Sequence, residues 1–362
     1  MNMNHYQFSG TAYEQGLQHG YSLKISIKKN IETYYDRFLA EAAIEKKDLL
    51  HNTKIYLNVL RNQSPEYVNA INGISEGSEC DLLEIAMLNL RYELLYHALG
   101  RRYLEESVDG CTSFALLPEV MKNNHLIMGQ NWDWIPDVDC VLVTSIDVDG
   151  LKRISFTEAG IFAGKPGMNS EGIGLAVNGM YSVDDDWCRL ERPFHLRCYD
   201  ILRSKNMERA LKTLTSTPRS CTANFIIGHA PHRILNIELG PNKMRLIDAK
   251  DGVLSHANHF SNPSLIGISE PHNPRRHLSE FRQKQMEALL MGQLPLNITE
   301  IQNILQDHEN HPQSLCRHRD KQLPKSQHTI TKIGMIMDLY DRKMWVTNGN
   351  PCKNDFESFE FI

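Results

Sequence analysis

The spacing of apolar residues separates a helical first third of the chain from a strand-rich remainder. In residues 11–42, apolar and aromatic side chains recur at roughly helical spacing with few helix breakers. Pro65 has the position of a first-turn proline and predicts the start of another helix. Asp81 is an N-cap type of residue directly before a third helical pattern, 82–99. The pattern shows no sustained strand before Val108.

Beyond residue 110 the pattern becomes typical of β-strands joined by turns. Three hairpins are predicted, the first of them turning at Asp149-Gly150. Because hairpins dominate, the order of elements favours antiparallel sheets with packed helices over a doubly wound parallel sheet. The predicted strands lie at 111–117, 125–129, 141–146, 153–157, 172–178, 225–229, 234–239, 244–248, 329–338 and 343–347, and the predicted helices at 194–214, 275–291 and 298–307.

Composition narrows the classes of protein to consider. The 362 residues carry a formal net charge of −5 without a basic stripe, so nucleic-acid binding is not expected. No apolar run approaches the ~20 residues of a membrane helix, and the polar start of the chain does not resemble a secretory signal. The eight cysteines include no Cys-x-x-Cys pair. We therefore expect free thiols and a cytoplasmic location.

The candidate chemistry begins where the pattern changes, at Asp109-Gly110-Cys111. One hairpin downstream stands the run 129–134, Gly-Gln-Asn-Trp-Asp-Trp. The spacing fits a strand, a turn and a return strand, so Asp133 is predicted to lie beside Cys111. A buried, unreactive thiol is the ordinary alternative for Cys111.

A cysteine followed by two short strands and this run resembles the acyl-coenzyme A:6-aminopenicillanic acid acyltransferase family, whose members are N-terminal nucleophile hydrolases. Gln130 follows this branch, whereas choloylglycine hydrolases often carry arginine there. The resemblance implies an α+β fold, a four-layer αββα sandwich, with a mostly helical segment 1–110 and a catalytic region 111–362. It extends from about residue 65 to the C-terminus through 88–93, 157–160, 167–172, 176–178, 256–260 and 314–318.

The resemblance implies that the chain cuts itself between Gly110 and Cys111. The Cys111 thiol would attack the Gly110 carbonyl, and an N-to-S acyl shift and hydrolysis would free a new N-terminus. Glycine lacks a Cβ, so Gly110 can hold a strained conformation and let the thiol approach. A free α-amino group has a pKa near ~7.7–8.0, and can therefore take the thiol proton without a histidine. The fragment 1–110 is expected to stay bound as a partner.

Further roles follow from the resemblance. Asp133 would orient the amino group and contact substrate, Asn178 and Asn258 would stabilise the oxyanion, and Arg317 would bind a substrate carboxylate. Trp132 and Trp134 alternate with Asp133, and are interpreted either as walls of an acyl pocket or as core residues. In the expected reaction, the acyl group of a small acylated amine is first transferred to Cys111 as a thioester. It then passes to water or to an amine. No fixed cofactor is expected, although a coenzyme A thioester is an allowed acyl donor.

Two other interpretations remain open. One is a non-catalytic binding protein, which the presence of Cys111, Asp133 and Asn258 disfavours. The other is a metal-dependent hydrolase using His308, His311 and His318, with Cys316 nearby at zinc-like spacing. Pro312 interrupts any shared helix face in this cluster, so no metal site is predicted. The glycine-rich stretch 160–174 lacks the spacing of a nucleotide-binding loop.

Overall fold

The computed structural model describes residues 3–101, 110–162 and 164–361. Within these ranges it contains nine α-helices and fourteen β-strands. The helices are α1 (Ala12–Arg37, continued by a π-helical turn Phe38–Ala42), α2 (Lys46–Gln63), α3 (Pro65–Ser78), α4 (Leu82–Arg101), α5 (Phe194–Leu202), α6 (Met207–Thr215), α7 (Pro263–Ile266), α8 (Arg276–Met291) and α9 (Ile298–Leu305). The strands are β1 (His5–Gly10), β2 (Thr112–Leu116), β3 (Ile127–Trp134), β4 (Cys140–Asp147), β5 (Lys152–Glu158), β6 (Gly167–Asn169), β7 (Ile173–Gly179), β8 (Ala223–His229), β9 (Arg233–Leu239), β10 (Met244–Ile247), β11 (Val253–His256), β12 (Ile330–Asp338), β13 (Lys343–Val346) and β14 (Glu357–Glu360).

The strands form two sheets that face each other. The first has the order β1-β4-β5-β6-β7-β8-β9-β10, and the second has the order β11-β2-β3-β12-β13-β14. Strands β2 and β3 of the second sheet contact β7 of the first, α5 and α6 cover the outer face of the first sheet, and α8 and α9 cover that of the second. The predicted four-layer αββα sandwich is confirmed.

Local sequence signals explain most of the element boundaries. Ser64 accepts a hydrogen bond from the Tyr67 N–H, so the helix begins at Pro65 as predicted. The Asp81 side chain accepts the N–H of Leu83 at the start of α4. The three predicted hairpins are β4–β5, β8–β9 and β12–β13, and all three pair antiparallel. In the described part of the chain, none of the helices is both long and apolar enough to cross a membrane.

The prediction of no strand before Val108 was wrong. β1 joins the edge of the eight-stranded sheet and pairs in parallel with β4, with Phe8 opposite Ser145. Only Phe8 of this strand is buried, so its apolar signal is weak, and its partner lies more than a hundred residues away. The segment 1–110 therefore contributes a strand to a sheet of the catalytic region, and residue 110 does not separate two independently packed units. Residues 102–109, which include Asp109 of the predicted cleavage motif, lie outside the described residues.

Helix α1 is attached to this sheet by buried polar contacts. Asn30 donates to the carbonyls of Asp139 and Ala159 and accepts the Asp139 N–H. His19 accepts the Gly160 N–H through Nε2 at 2.9 Å, at a turn where Gly160 has a φ of +96°. These contacts connect the N-terminal segment to the loop that follows β5.

The contact between His19 and Gly160 predicts a loss of stability in mild acid. Burial lowers the pKa of His19 to about 4, below the ~6.5 of an unfolded chain. Because the folded pKa is the lower one, the stabilisation present above pH ~6.5 is lost as the pH falls towards 4, by about 3 kcal/mol at most. In an uncut Cys111→Ala background, urea unfolding of His19→Gln between pH 4 and 7 should show a weaker pH dependence. Replacing the exposed His51 by glutamine is the matched control, and an equal effect of both changes would contradict the assignment.

Candidate active site

The hairpin of β2 and β3 brings the two ends of the predicted motif together. The strands pair antiparallel with Thr112 opposite Asn131, and one more residue along this register places Cys111 opposite Trp132. Asp133 is the next residue on β3, and both Cys111 and Asp133 are buried. The proximity expected from their spacing is therefore present in the structure.

The Cys111 thiol lies at a small cavity between the two sheets and α4. Burial, and then the negative charge of Asp133, raise the pKa of the Cys111 thiol to about 12, and a hydrogen bond from the Asp133 backbone opposes this only in part. At neutral pH the thiol of the uncut chain is consequently protonated. A base has to accept its proton before it becomes a strong nucleophile.

Two asparagines hold the peptide around the predicted cleavage point. Asn258 Oδ1 accepts the Gly110 N–H at 3.3 Å, and Asn178 Nδ2 donates to the Cys111 carbonyl at 3.0 Å. Asn258 lines the cavity together with Gly110 and Cys111. Both predicted oxyanion donors thus lie at the site, but in the uncut chain they bind the backbone on either side of the Gly110–Cys111 bond.

Arg282 fixes the orientation of Asn258. From α8 it donates through an Nη to Asn258 Oδ1 at 2.9 Å and through Nε to Thr112 Oγ1 at 3.1 Å. With Oδ1 accepting from Arg282 and Gly110, the Nδ2 group of Asn258 points towards the Gly179 carbonyl, 3.0 Å away. Since Gly179 also lines the cavity, the donor face of this amide is held towards the space where substrate would enter.

The strained conformation that glycine allows is not seen at Gly110. Gly110 is not one of the described residues with positive φ. A Cβ built there would meet its nearest neighbours, Asn258 Nδ2 and the Asp133 carbonyl, at 3.5 and 3.6 Å, which is ordinary van der Waals contact. Hydrogen bonds, rather than a glycine-only conformation, therefore position this peptide.

Arg317 contacts Asp133 rather than the cavity. Its Nε lies 3.4 Å from Asp133 Oδ2, one Nη donates to Thr329, and the side chain is 2% exposed. Thr331, opposite Asp133 on β12, donates its hydroxyl to Asp133 Oδ1 at 2.7 Å. In the uncut chain Arg317 is thus not placed to bind a substrate carboxylate. It holds the carboxylate that is expected to orient the new amino group.

Comparison with known proteins shows the family of the chain. The family model of acyl-coenzyme A:6-aminopenicillanic acid acyltransferase matches residues 120–353, well over half of the chain. The chain belongs to this family. The 40 kDa form of acyl-coenzyme A:6-aminopenicillanic-acid acyltransferase from Emericella nidulans is 28% identical over 360 residues, which cover 98% of this chain and 94% of the relative. The expectation that the chain is an enzyme of the acyl-transferring and amide-hydrolysing class is confirmed.

Solved structures with a similar fold were also found. One is a mutant of the conjugated bile acid hydrolase from Clostridium perfringens, with 12% identity, a TM-score of 0.47, and coverage of 70% of this chain and 97% of that one. Another is the Caenorhabditis elegans ortholog of N-acylethanolamine-hydrolyzing acid amidase, with 14% identity, a TM-score of 0.44, and coverage of 63% and 93%. The family match begins after Cys111, so it does not test the prediction that Cys111 is the nucleophile of this acyltransferase-family chain.

Trp132 and Trp134 both line the cavity of this family member. Their rings stack with centroids 5.5 Å apart, and Trp134 Nε1 donates to the Tyr34 hydroxyl at 2.7 Å. The two side chains are therefore buried, as core residues are, and also form a wall beside Cys111, while a role in binding an acyl group stays a prediction.

Behind this wall lies an ionic cluster that the sequence analysis did not identify. Glu158, at the end of β5, accepts hydrogen bonds from Arg91, Lys165 and Tyr34, and all four side chains are buried. Arg91 and Lys165 also line the cavity, and the Lys165 ammonium lies 4.9 Å from the ring centroid of Trp132. The cluster carries two cations for one anion, so the cavity wall beside Cys111 is positively charged.

The pKa values in this cluster follow from burial and mutual charge. Burial alone would raise the pKa of Glu158, but the charges of Arg91 and Lys165 outweigh it and hold that pKa well below its usual range. Burial and the charge of Arg91 lower the pKa of Lys165 to about 8, although Glu158 opposes this shift. Glu158 is therefore ionised at neutral pH.

Two sequence signals were available for these missed residues. Arg91 and Glu158 lie within two of the stretches that resemble the family, and a charged residue between apolar neighbours in a helix or strand indicates a buried ion pair. Arg282 carried no such signal, because α8 is polar over much of its length and its contact with Asn258 depends on the tertiary fold.

Proposed function

We propose that this chain is a self-processing N-terminal cysteine enzyme that moves the acyl group of a small amide or thioester through a thioester on Cys111. One observation carries the proposal. The Cys111 thiol lies at a cavity directly beside the Gly110–Cys111 peptide, which Asn258 and Asn178 hold from both sides. This arrangement suits attack by a side chain on its own peptide bond.

In the first stage the chain cuts itself. Cys111 Sγ attacks the Gly110 carbonyl carbon, the C–N bond breaks, and the thiol proton passes to the departing nitrogen, which becomes the α-amino group of Cys111. Water then hydrolyses the Gly110 thioester, which releases a carboxylate at Gly110 and restores the thiol. When the strand end leaves, Asn258 Oδ1 loses the Gly110 N–H, while Nδ2 donates one N–H to the Gly179 carbonyl and has a second N–H to offer to substrate.

In the second stage the new amino group acts as the base. Its pKa near ~7.7–8.0 leaves a useful unprotonated fraction at neutral pH, and Asp133, held by Arg317 and Thr331, orients it. The thiolate attacks the acyl carbonyl, and the Nδ2 group of Asn258 donates to the oxyanion. The amine or thiol of the substrate leaves with the proton, and water or a second amine then takes the acyl group. A coenzyme A thioester is one donor that this chemistry accepts.

The fragment 1–110 remains part of the enzyme after the cut. Its strand β1 stays paired with β4, and its residues Arg91, Tyr92 and Tyr96 supply part of the cavity wall. We propose that the two fragments form one folded unit whose active site neither contains alone.

Trapping of the acyl-enzyme tests this function. The chain is incubated with acylated amines, acyl-coenzyme A thioesters and a thiol-reactive β-lactone, then quenched in acid and analysed by intact mass and peptide mapping. The expected adduct lies on the fragment that begins with Cys111, and Cys188→Ser, which removes an exposed thiol, should leave it unchanged. Preferential labelling of Cys316 or Cys352 would contradict the assignment.

A further inference from the structure

The C-terminal third of the chain brings two cysteines and two histidines together outside the active site. The ligand atoms of His308, Cys316, His318 and Cys352 all lie within 4.8 Å of one another. The loop after α9 folds back on itself, since the Cys316 N–H binds the Asp307 carbonyl and the His318 N–H binds the Pro312 carbonyl. No metal site was predicted at His308, His311, Cys316 and His318, because Pro312 interrupts a helix face. That reason does not hold, because the residues meet in a loop and Cys352 joins them from 34 residues away along the chain.

Four of the six distances between ligand atoms are close to those of a tetrahedral site, although the two nitrogens lie closer together than bound zinc would hold them. The two sulfurs lie 3.5 Å apart, Nε2 of His318 lies 3.7 and 3.3 Å from the sulfurs of Cys316 and Cys352, and Nε2 of His308 lies 3.0 Å from Nε2 of His318. Zinc bound at ~2.3 Å to sulfur and ~2.0–2.1 Å to nitrogen would place such atoms about 3.4–3.8 Å apart. The two sulfurs are too far apart for a disulfide, whose length is ~2.0 Å.

We propose that these four side chains bind one zinc ion. Two thiolates and two imidazoles are the ligand set that selects zinc in closed structural sites. Asn350 Nδ2 lies 3.6 Å from the Cys316 sulfur, a contact of the kind that supports metal-bound thiolates. Because four protein ligands fill a tetrahedron, no position is left for a catalytic water. The site is therefore structural, and the alternative of a metal-dependent hydrolase using His308, His311 and His318 loses its support.

The position of this site links it to the active site. Two ligands, Cys316 and His318, flank Arg317, whose backbone is also fixed by Thr331 and Asn350. Arg317 in turn holds Asp133. A zinc ion at this point would fix the segment that carries the partner of the catalytic carboxylate.

Metal analysis of the full-length chain, prepared without a polyhistidine tag and under reducing conditions, tests the proposal. We expect one zinc per chain, and we expect His308→Ala and Cys352→Ser each to reduce this content to a small fraction. His311→Ala is the matched control, because its ring packs beside His308 and His318 without being one of the four ligands. Cys188→Ser controls for loss of a thiol elsewhere. Both controls should retain the zinc.

Cobalt substitution gives a readout that does not depend on variants that may misfold. Co²⁺ in the wild-type chain should show the intense visible bands of a tetrahedral ion and a thiolate charge-transfer band. A reduced chain that contains no zinc and takes up neither ion would overturn the proposal, as would a Cys316–Cys352 disulfide in the reduced preparation, or zinc retained by both ligand variants. The measurement is independent of acyl transfer, so it separates the zinc site from the function proposed for Cys111.

Discussion

Cys111→Ala is expected to remain a single chain of 41.5 kDa, whereas the wild type separates under denaturing conditions into fragments of about 12 and about 29 kDa, from their shares of the length. The physical reason is that alanine has no nucleophile to attack Gly110, while the loss of one sulfur at a 5% exposed position leaves the fold intact. Acyl transfer should fall to background in the same variant. Intact mass and N-terminal sequencing of the larger fragment measure the first effect directly.

Two controls make this result specific. Cys188→Ala removes an exposed thiol and should be cut like the wild type. Cys111→Ser keeps a nucleophile of similar size but lower acidity and should be cut more slowly than the wild type. A folded wild-type chain that stays whole at neutral pH, or a Cys111→Ala chain that still separates at residue 110, would exclude the proposed self-processing.

The elements that the sequence specified locally were predicted well. The β2–β3 hairpin follows from a short-range pattern, and that pattern was enough to place Asp133 beside Cys111. The start of α3 at Pro65 and the turn at Asp149-Gly150 likewise depend on residues next to each other. Gly110 shows the limit of such reasoning, because its residue type suggested strain, whereas hydrogen bonds from distant elements position it.

What the sequence did not reveal depends on contacts across long separations. β1 is a weakly apolar edge strand whose register is set by β4, and no local pattern encodes that pairing. Arg317 was predicted to bind a substrate carboxylate, and its contact with Asp133 is apparent only once β12 is placed beside β3. Cys352 joins His308 in the same way, through the return of the chain after β13. The last two cases involve a polar side chain whose partner is determined by the tertiary fold.

Glu158→Gln is expected to have the largest effect on stability. The change leaves Arg91 and Lys165 buried without their counter-charge, and breaking a buried ion pair from one side typically costs about 3–5 kcal/mol. The uncut Cys111→Ala background keeps one chain, so the free energy of unfolding is measured by urea denaturation without dissociation of fragments. Glu208→Gln is the matched control, because Glu208 also pairs with an arginine, Arg233, but both are exposed, and solvent screening leaves such pairs with little effect on stability.

A second substitution separates lost charge balance from lost packing. In Glu158→Gln with Lys165→Met, the cluster keeps one cation and no anion, so part of the lost stability should return relative to Glu158→Gln alone. If packing alone mattered, the two changes would add, and the double variant would be the less stable one.

The same pair of variants bears on the active site, because Lys165 lies over Trp132 at the cavity. Relative to Glu158→Gln, the double variant has one positive charge fewer in the wall beside Cys111, so binding of acyl donors that carry negative groups, such as coenzyme A thioesters, should weaken more than binding of neutral amides.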